Sequence, residues 1–440
     1  MSRARCGPER SHGPGFSAVL TLLVVASTLL GPPEALAVPP GVYWLGGEGS
    51  LRFANGRPEL RRNDRLYGLL EGGASAFLNK GSSGLRYQRP DGTVVEVNDD
   101  LIPSLDPGTP PGADVLFRIE EISRDGSLFA GTQEWTDPTT GEDRARRVVQ
   151  PIDGPAVEFP YPLANPNLLE PQRHNALSSN GELALGFSSE IEPGVGLTGR
   201  SAIAWSASRG FISYARPAGR DYATPYFVAN DGTAVGTSHS EANTLNGLIV
   251  SPDPSDGVIV WSADGSAELL GPVTREGGSE WSALIPRALS ANGEHVVAST
   301  GGISRVFSRG GDGWEVTSGN LSLPIASFIS GVADDGSLVV GQADDSGCLP
   351  PCLGPRASIW SREDGQMDFS TYLQLAGIDT TGWEFESIID VSPDGRTFVG
   401  YGYNSETFDY LFYAVVPEPS TALLLGLGLT ALASSGRRHA

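Results

Sequence analysis

Basic residues are scarce in this 440-residue chain, with 30 Lys and Arg against 52 Asp and Glu, a formal net charge of −22, and Lys80 as the only lysine. A field of that sign repels nucleic acid and anionic lipid, so DNA, RNA and acidic membrane surfaces are excluded as natural partners. Cysteine is nearly as rare. Cys6 lies close to the start, which leaves Cys348 and Cys352 with two prolines between them. C-x-x-C spacing would favour redox or zinc chemistry. The longer gap points, should the chain be exported, to a local disulfide that pins one loop and adds little global stability.

Catalytic signatures are also missing. No G-x-S-x-G, H-E-x-x-H or P-loop occurs. Gly194-Val195-Gly196-Leu197-Thr198-Gly199 follows Pro193 and precedes a strand at Ser201, whereas a dinucleotide site needs a strand before it and a helix after. His174, His239, His295 and His439 are too scattered to form a ligand set. D-x-D-x-D-G calcium loops are absent, and Asp334-Asp335-Gly336 and Asp344-Asp345 read as turns. The expectation is no catalytic residue, no metal and no cofactor. Bound calcium and paired carboxylates for sugar cleavage stay open, because pairing in space is invisible in a sequence.

Long apolar runs are lacking through the middle and present at both ends. Arg3, Arg5 and Arg10 precede the apolar run 16–30, Gly31-Pro32-Pro33 breaks it, and Ala35-Leu36-Ala37 supplies a small-residue cleavage site. Residues 1–37 therefore read as a signal helix handed to the Sec translocon, with the mature chain starting near Val38. Cys6 sits in the charged leader and not at the cleavage site, so this is no lipoprotein signal. The mature chain keeps 27 basic and 50 acidic residues, a net charge of −23.

At the other end stand Val416-Pro417-Glu418-Pro419-Ser420-Thr421, the apolar run 422–433 and then Arg437-Arg438. Two prolines around a glutamate fit neither a helix interior nor a central strand, so an extended hinge is expected. Thirteen residues, 421–433, make a helix of about 20 Å against a hydrocarbon core of about 30 Å, so transient membrane contact suits the segment better than a permanent anchor. Residues 416–440 resemble the PEP-CTERM sorting tail of Gram-negative bacterial surface proteins. The resemblance implies processing by an exosortase near Pro417-Glu418-Pro419. It also implies transfer or release of the cargo outside, often into a polysaccharide-rich biofilm matrix.

The cargo between the ends, 38–415, is glycine-rich, with 57 glycines in the chain, and poor in helix-favouring charged runs. Glycine at that level without a three-residue period indicates many tight turns, hence an all-β protein. One phrase recurs, as in Ile122-Ser123-Arg124-Asp125-Gly126-Ser127-Leu128-Phe129-Ala130-Gly131. It comes back around Gly181, Gly232, Gly293, Gly336 and Gly395, at spacings of 55, 51, 61, 43 and 59 residues. Aromatic-ended strands such as Ala202-Ile203-Ala204-Trp205 and Ser358-Ile359-Trp360 alternate with it. The units resemble HAF-type repeats of bacterial extracellular proteins, a name that carries no activity.

Asp-Gly and Asn-Gly predict two-residue hairpin turns of type I′, with both turn residues at positive φ. A mean spacing of about 54 over 378 residues predicts seven four-stranded units, the arithmetic of a seven-bladed β-propeller. An open solenoid or two sandwiches would also fit. The last unit lacks one strand, which residues 42–45 or 51–54 could supply, closing the array. The loops 99–114, 160–171 and 347–355 are expected to offer a partner surface. The expected role is a non-catalytic structural or interaction module of the envelope or matrix, facing extracellular polysaccharide or other surface proteins. A secreted propeller enzyme acting on carbohydrate is the alternative.

Overall fold

In Val296-Val297-Ala298 and Val339-Val340-Gly341 two β-branched residues stand side by side. Successive strand side chains point to opposite faces, so such a run needs apolar surroundings on both. The computed structural model describes residues 40–44, 51–54, 57–60, 64–70, 75–80, 85–88, 94–97, 115–151, 157–158, 176–192, 196–239, 244–245, 248–249, 257–270, 284–300, 303–311, 313–317, 328–343, 356–405 and 411–416. The chain divides into Met1–Pro39, outside the described residues, and Pro40–Ala440, which is mostly β and built of several sheets.

Among the described residues, Pro40–Ala440 holds five four-stranded antiparallel sheets, two two-stranded hairpins and one eight-stranded sheet made of two four-stranded antiparallel units, which makes seven such units in all. The first comprises Asp64–Leu70, Ser75–Lys80, Leu85–Gln88 and Val94–Val97. The second comprises Val115–Ile122, Leu128–Thr136, Asp143–Pro151 and Val157–Glu158. The third (Ala176–Leu177, Ala184–Glu192, Gly196–Ser206, Gly210–Ser213) and the fourth (Tyr222–Val228, Ala234–His239, Gly257–Trp261, Ala267–Leu270) are joined by one parallel bridge, Arg200 to Tyr222. The fifth is Ile285–Leu289, His295–Thr300, Ile303–Gly310 and Gly313–Val316. The sixth is Phe328–Val332, Leu338–Ala343, Arg356–Ser361 and Gly365–Asp368.

The seventh unit takes Trp383–Val391, Thr397–Asn404 and Leu411–Val415 from the end of the chain and Gly41–Trp44 from its start. Gly41 pairs with Val415 and Trp44 with Phe412. Of the two candidates for the missing strand, the first is used. Leu51–Ala54 pairs instead with Arg57–Leu60 as a separate hairpin.

The fifth and sixth sheets are apolar on both faces because each has a neighbour on both sides. Val296 packs with Val235, Val258 and Val260 of the fourth unit, while Val297 packs with Ile329, Val332 and Val339 of the sixth. Val340, the partner of Val339 in the phrase, turns the other way, toward Phe385, Phe398 and Phe412 of the seventh. The doubled valines are therefore the code for stacking between two sheets.

The turns differ from the predicted type. Gly126 N–H donates to the Ser123 carbonyl, and the same bond recurs at Gly181, Gly232, Gly293, Gly336 and Gly395. That puts glycine at the fourth turn position, at φ 63–93°, with Arg124-Asp125 and their equivalents in the middle. In four of the six the competing chemistry is the serine before them, which favours a longer loop around a type I turn; Ala229 and Ala333 keep the same turn without it. Ser123, Ser178, Ser290 and Ser392 are buried; each hydroxyl donates to the Asp or Asn two residues on and accepts the backbone N–H five residues on.

Turn glycines also meet the preceding unit. A methyl group on Gly336 would lie 2.6 Å from His295 Nδ1, and one on Gly293 2.6 Å from Asp231 Oδ1. Burial, and then Arg362, hold the His295 imidazole below its ordinary pKa of 6.5, against the pull of Glu294, Asp335 and Asp334. Its neutral ring sits 2.8 Å from Ser308 Oγ. The unfolded chain thus binds this proton more readily than the folded one. The contribution is intact above pH 6.5 and is lost as pH falls below it. The urea midpoint is expected to be lower at pH 5.5 than at pH 7.5, with His295→Gln shrinking the difference.

One helix interrupts the β pattern among the described residues. This helix, α1 (Phe369–Leu375), is started by Asp368, whose side chain accepts the Ser370 N–H, and it buries Phe369 and Leu373 four residues apart. It was missed because Phe-Ser-Thr-Tyr-Leu-Gln-Leu also reads as an alternating strand. The expected signal helix and carboxy-terminal hydrophobic helix lie outside the described residues.

Candidate functional site

The first strands of all seven units converge on one cavity of about 280 Å³. Leu69, Glu121, Leu177, Val228, Ala288, Ser330 and Asp390 line it, one from each unit in order. Its wall is about evenly polar and apolar, and its charged groups are already engaged. Glu121 Oε1 accepts the Leu177 N–H at 3.0 Å, which ties the second unit to the third. Asp390 accepts the Leu69 N–H of the first unit at 3.0 Å and the Arg124 guanidinium of the second at 2.5 Å. Arg124 also donates to the Val391 carbonyl.

The same end of the sheets carries a chain of turn-to-turn bonds. Asp125 N–H donates to Ser179 O, Asn180 N–H to Asn230 Oδ1, and Asn230 N–H to Ala291 O. Asn292 N–H then donates to Asp334 Oδ1, and Asp334 N–H to Pro393 O. Burial raises the Asp334 carboxyl above its ordinary range, against the lowering effect of the Asn292 and Ala291 backbone groups and Arg124. These bonds give the Asp and Asn of the repeat a second task. Within a unit they hold the turn; between units they hold the next turn.

Sequence reasoning found the turns and missed the clasp. Arg124 occupies the position filled elsewhere by Ser179, Asn230, Ala291, Asp334 and Pro393. It is the one cation among them, which was the available signal; its partner, 266 residues away, had none.

The last described residues lie at the same end. Val415 lies between Thr397 and Gly41, and the Val416 N–H donates to the Arg396 carbonyl at 2.9 Å, within the Ser392–Arg396 turn connection. Val416 is 4% exposed. Pro417, Glu418, Pro419, Ser420, Arg437 and Arg438 lie outside the described residues, as do Ala35, Ala37, Cys348, Cys352 and the three loops named for partners. No group of three His, Cys, Asp or Glu fit to hold a metal occurs among the described residues.

Residues 415–438 match the PEP-CTERM protein-sorting motif, which marks a chain for export to the cell envelope or surface. No curated protein matches. Among solved structures, prolyl oligopeptidase B from Galerina marginata is 12% identical, with 81% of this chain and 52% of that one covered at a TM-score of 0.43. The acylaminoacyl peptidase of Pyrococcus horikoshii is 11% identical, with 82% and 54% covered at 0.39. The Dos1 propeller is 13% identical, with 83% and 82% covered at 0.35. The chain spans about half the length of the two peptidases, and likenesses at these scores say nothing of its activity.

Proposed function

We propose that the chain is an exported surface or extracellular-matrix protein, processed by an exosortase at Pro417-Glu418-Pro419, whose body serves as a non-catalytic structural or interaction module. The observation that carries this reading is the match of residues 415–438 to the sorting motif, which begins at the end of the last strand, beside the Val416 hydrogen bond to Arg396. The body is proposed to be a closed ring of seven blades. This is supported by the cavity that receives one strand from each unit, and by Asp390, which joins the seventh unit to the first and second.

The non-catalytic part of the reading is supported by how Glu121 and Asp390 are used. Both carboxylates are engaged by backbone N–H groups or Arg124, the arrangement of a tie and not of a general acid poised for a sugar. Partners are extracellular polysaccharide or other surface proteins. The test is mass spectrometry of the mature protein from its native host. Loss of residues 422–440 is expected, and an intact carboxy terminus at Ala440 overturns the reading. Cleavage of matrix polysaccharide by the purified body would overturn the non-catalytic part alone.

A further inference from the structure

Processing enzymes commonly bind several residues on each side of the bond they cut, in extended form. Here the upstream side is taken. Leu411–Val415 is an inner strand of its sheet, laddered to Thr397–Asn404 on one side and to Gly41–Trp44 on the other. Phe412 and Ala414 are fully buried, and Val416 is held by Arg396. Phe412 packs against Phe385, Phe369 and Trp383 at ring distances of 4.9, 5.5 and 6.4 Å. Drawing this strand into an enzyme cleft would break two ladders and open that cluster.

We infer that the amino-terminal strand Gly41–Trp44 governs carboxy-terminal processing. By completing the last sheet it locks residues 411–416 away, so the sorting tail is read from Pro417 onward, on a body that has already closed. The inference rests on the sorting reading above. Sorting breaks one peptide bond, whose carbonyl carbon passes to water or to an acceptor amine while the displaced proton goes to the departing amino group. The geometry sets the upstream limit of that bond at Val416–Pro417. On this inference the mature amino terminus is paired into the sheet before the tail is cut to a single end. Without Gly41–Trp44, the strand that leads into the tail becomes an edge strand, open to pairing and to proteolysis.

Two variants of the full chain test this in a host that carries the sorting enzyme, with intact mass and yield as readouts. The first inserts ten Gly/Ser residues between Val416 and Pro417 and leaves every strand in place. Processing is expected at the same motif bond, at a yield within about two-fold of the wild type. A ten-fold loss with the fold intact would show that the enzyme reads residues 411–416 and would overturn the inference. The second, Tyr43→Pro, breaks the pairing with Tyr413. Ragged ends at or before Val416 are expected in place of a single end. The wild-type end at the wild-type yield would overturn the gating role of the strand while the sorting reading stands. Retention of residues 422–440 in every chain, wild type included, would bring down the sorting reading itself.

Discussion

Phe369→Ala is expected to lower the stability of the body by about 3–5 kcal/mol, the usual cost of deleting a fully buried phenylalanine. Phe369 is the hub of an aromatic cluster, with ring centroids 5.1 Å from Phe398, 5.2 Å from Phe385 and 5.5 Å from Phe412, and it is fully buried. Those partners belong to three strands of the seventh unit, so the cavity left behind cannot collapse without moving the sheet that joins the two ends of the chain. Against a total stability of about 5–15 kcal/mol, a loss of this size is large. A fall in the urea midpoint with an unchanged slope would meet the expectation. A change within 0.5 kcal/mol, about the size of a surface substitution, would show that the cluster is not packed as described.

Gly341→Val is the second large effect, expected at about 3 kcal/mol, the upper end of overpacking costs. Gly341 faces an irregularity in the strand before it, between Ile329 and Gly331, where the Phe328 carbonyl intrudes. A methyl group on Gly341 would be driven into that oxygen and would lie 3.0 Å from Ile329 Cα. The same intrusion recurs at Gly236, against Thr224, and at Gly400, against Ser387. The fifth unit has Ala298 at this place, opposite Pro286 beside a register shift. That sheet already makes room for a methyl group, so Ala298→Gly should cost only about 1–2 kcal/mol, the entropic penalty of glycine in a strand plus the lost burial of one methyl group. Comparable losses from the two variants would refute the steric account.

These two sites mark what could be read in the sequence. The phrase around Gly336 announced a hairpin of short strands, because strand propensity and turn glycine are local properties, whereas the stacking of its doubled valines between two sheets emerged only with the fold. The glycine that ends the phrase was equally visible, but its reason lies in the carbonyl of a different strand. The helix at Phe369 was hidden because its two buried residues, four apart, also suit a strand. Arg124 and Asp390 were hidden for another reason: a clasp between the second unit and the last depends on the whole chain returning to its start. The sorting tail was the most legible part. Its signal is written contiguously and owes nothing to folding.

Pairing Gly41 with Val415 leaves the two ends of the body side by side on one rim. Such a body behaves as a cassette. Because its first and last strands are neighbours, segments joined beyond Gly41 and beyond Val415 attach to it at adjacent points. Anything that grips the chain just beyond Val416 therefore grips it beside Gly41 as well, and loads both ends of the body at one place.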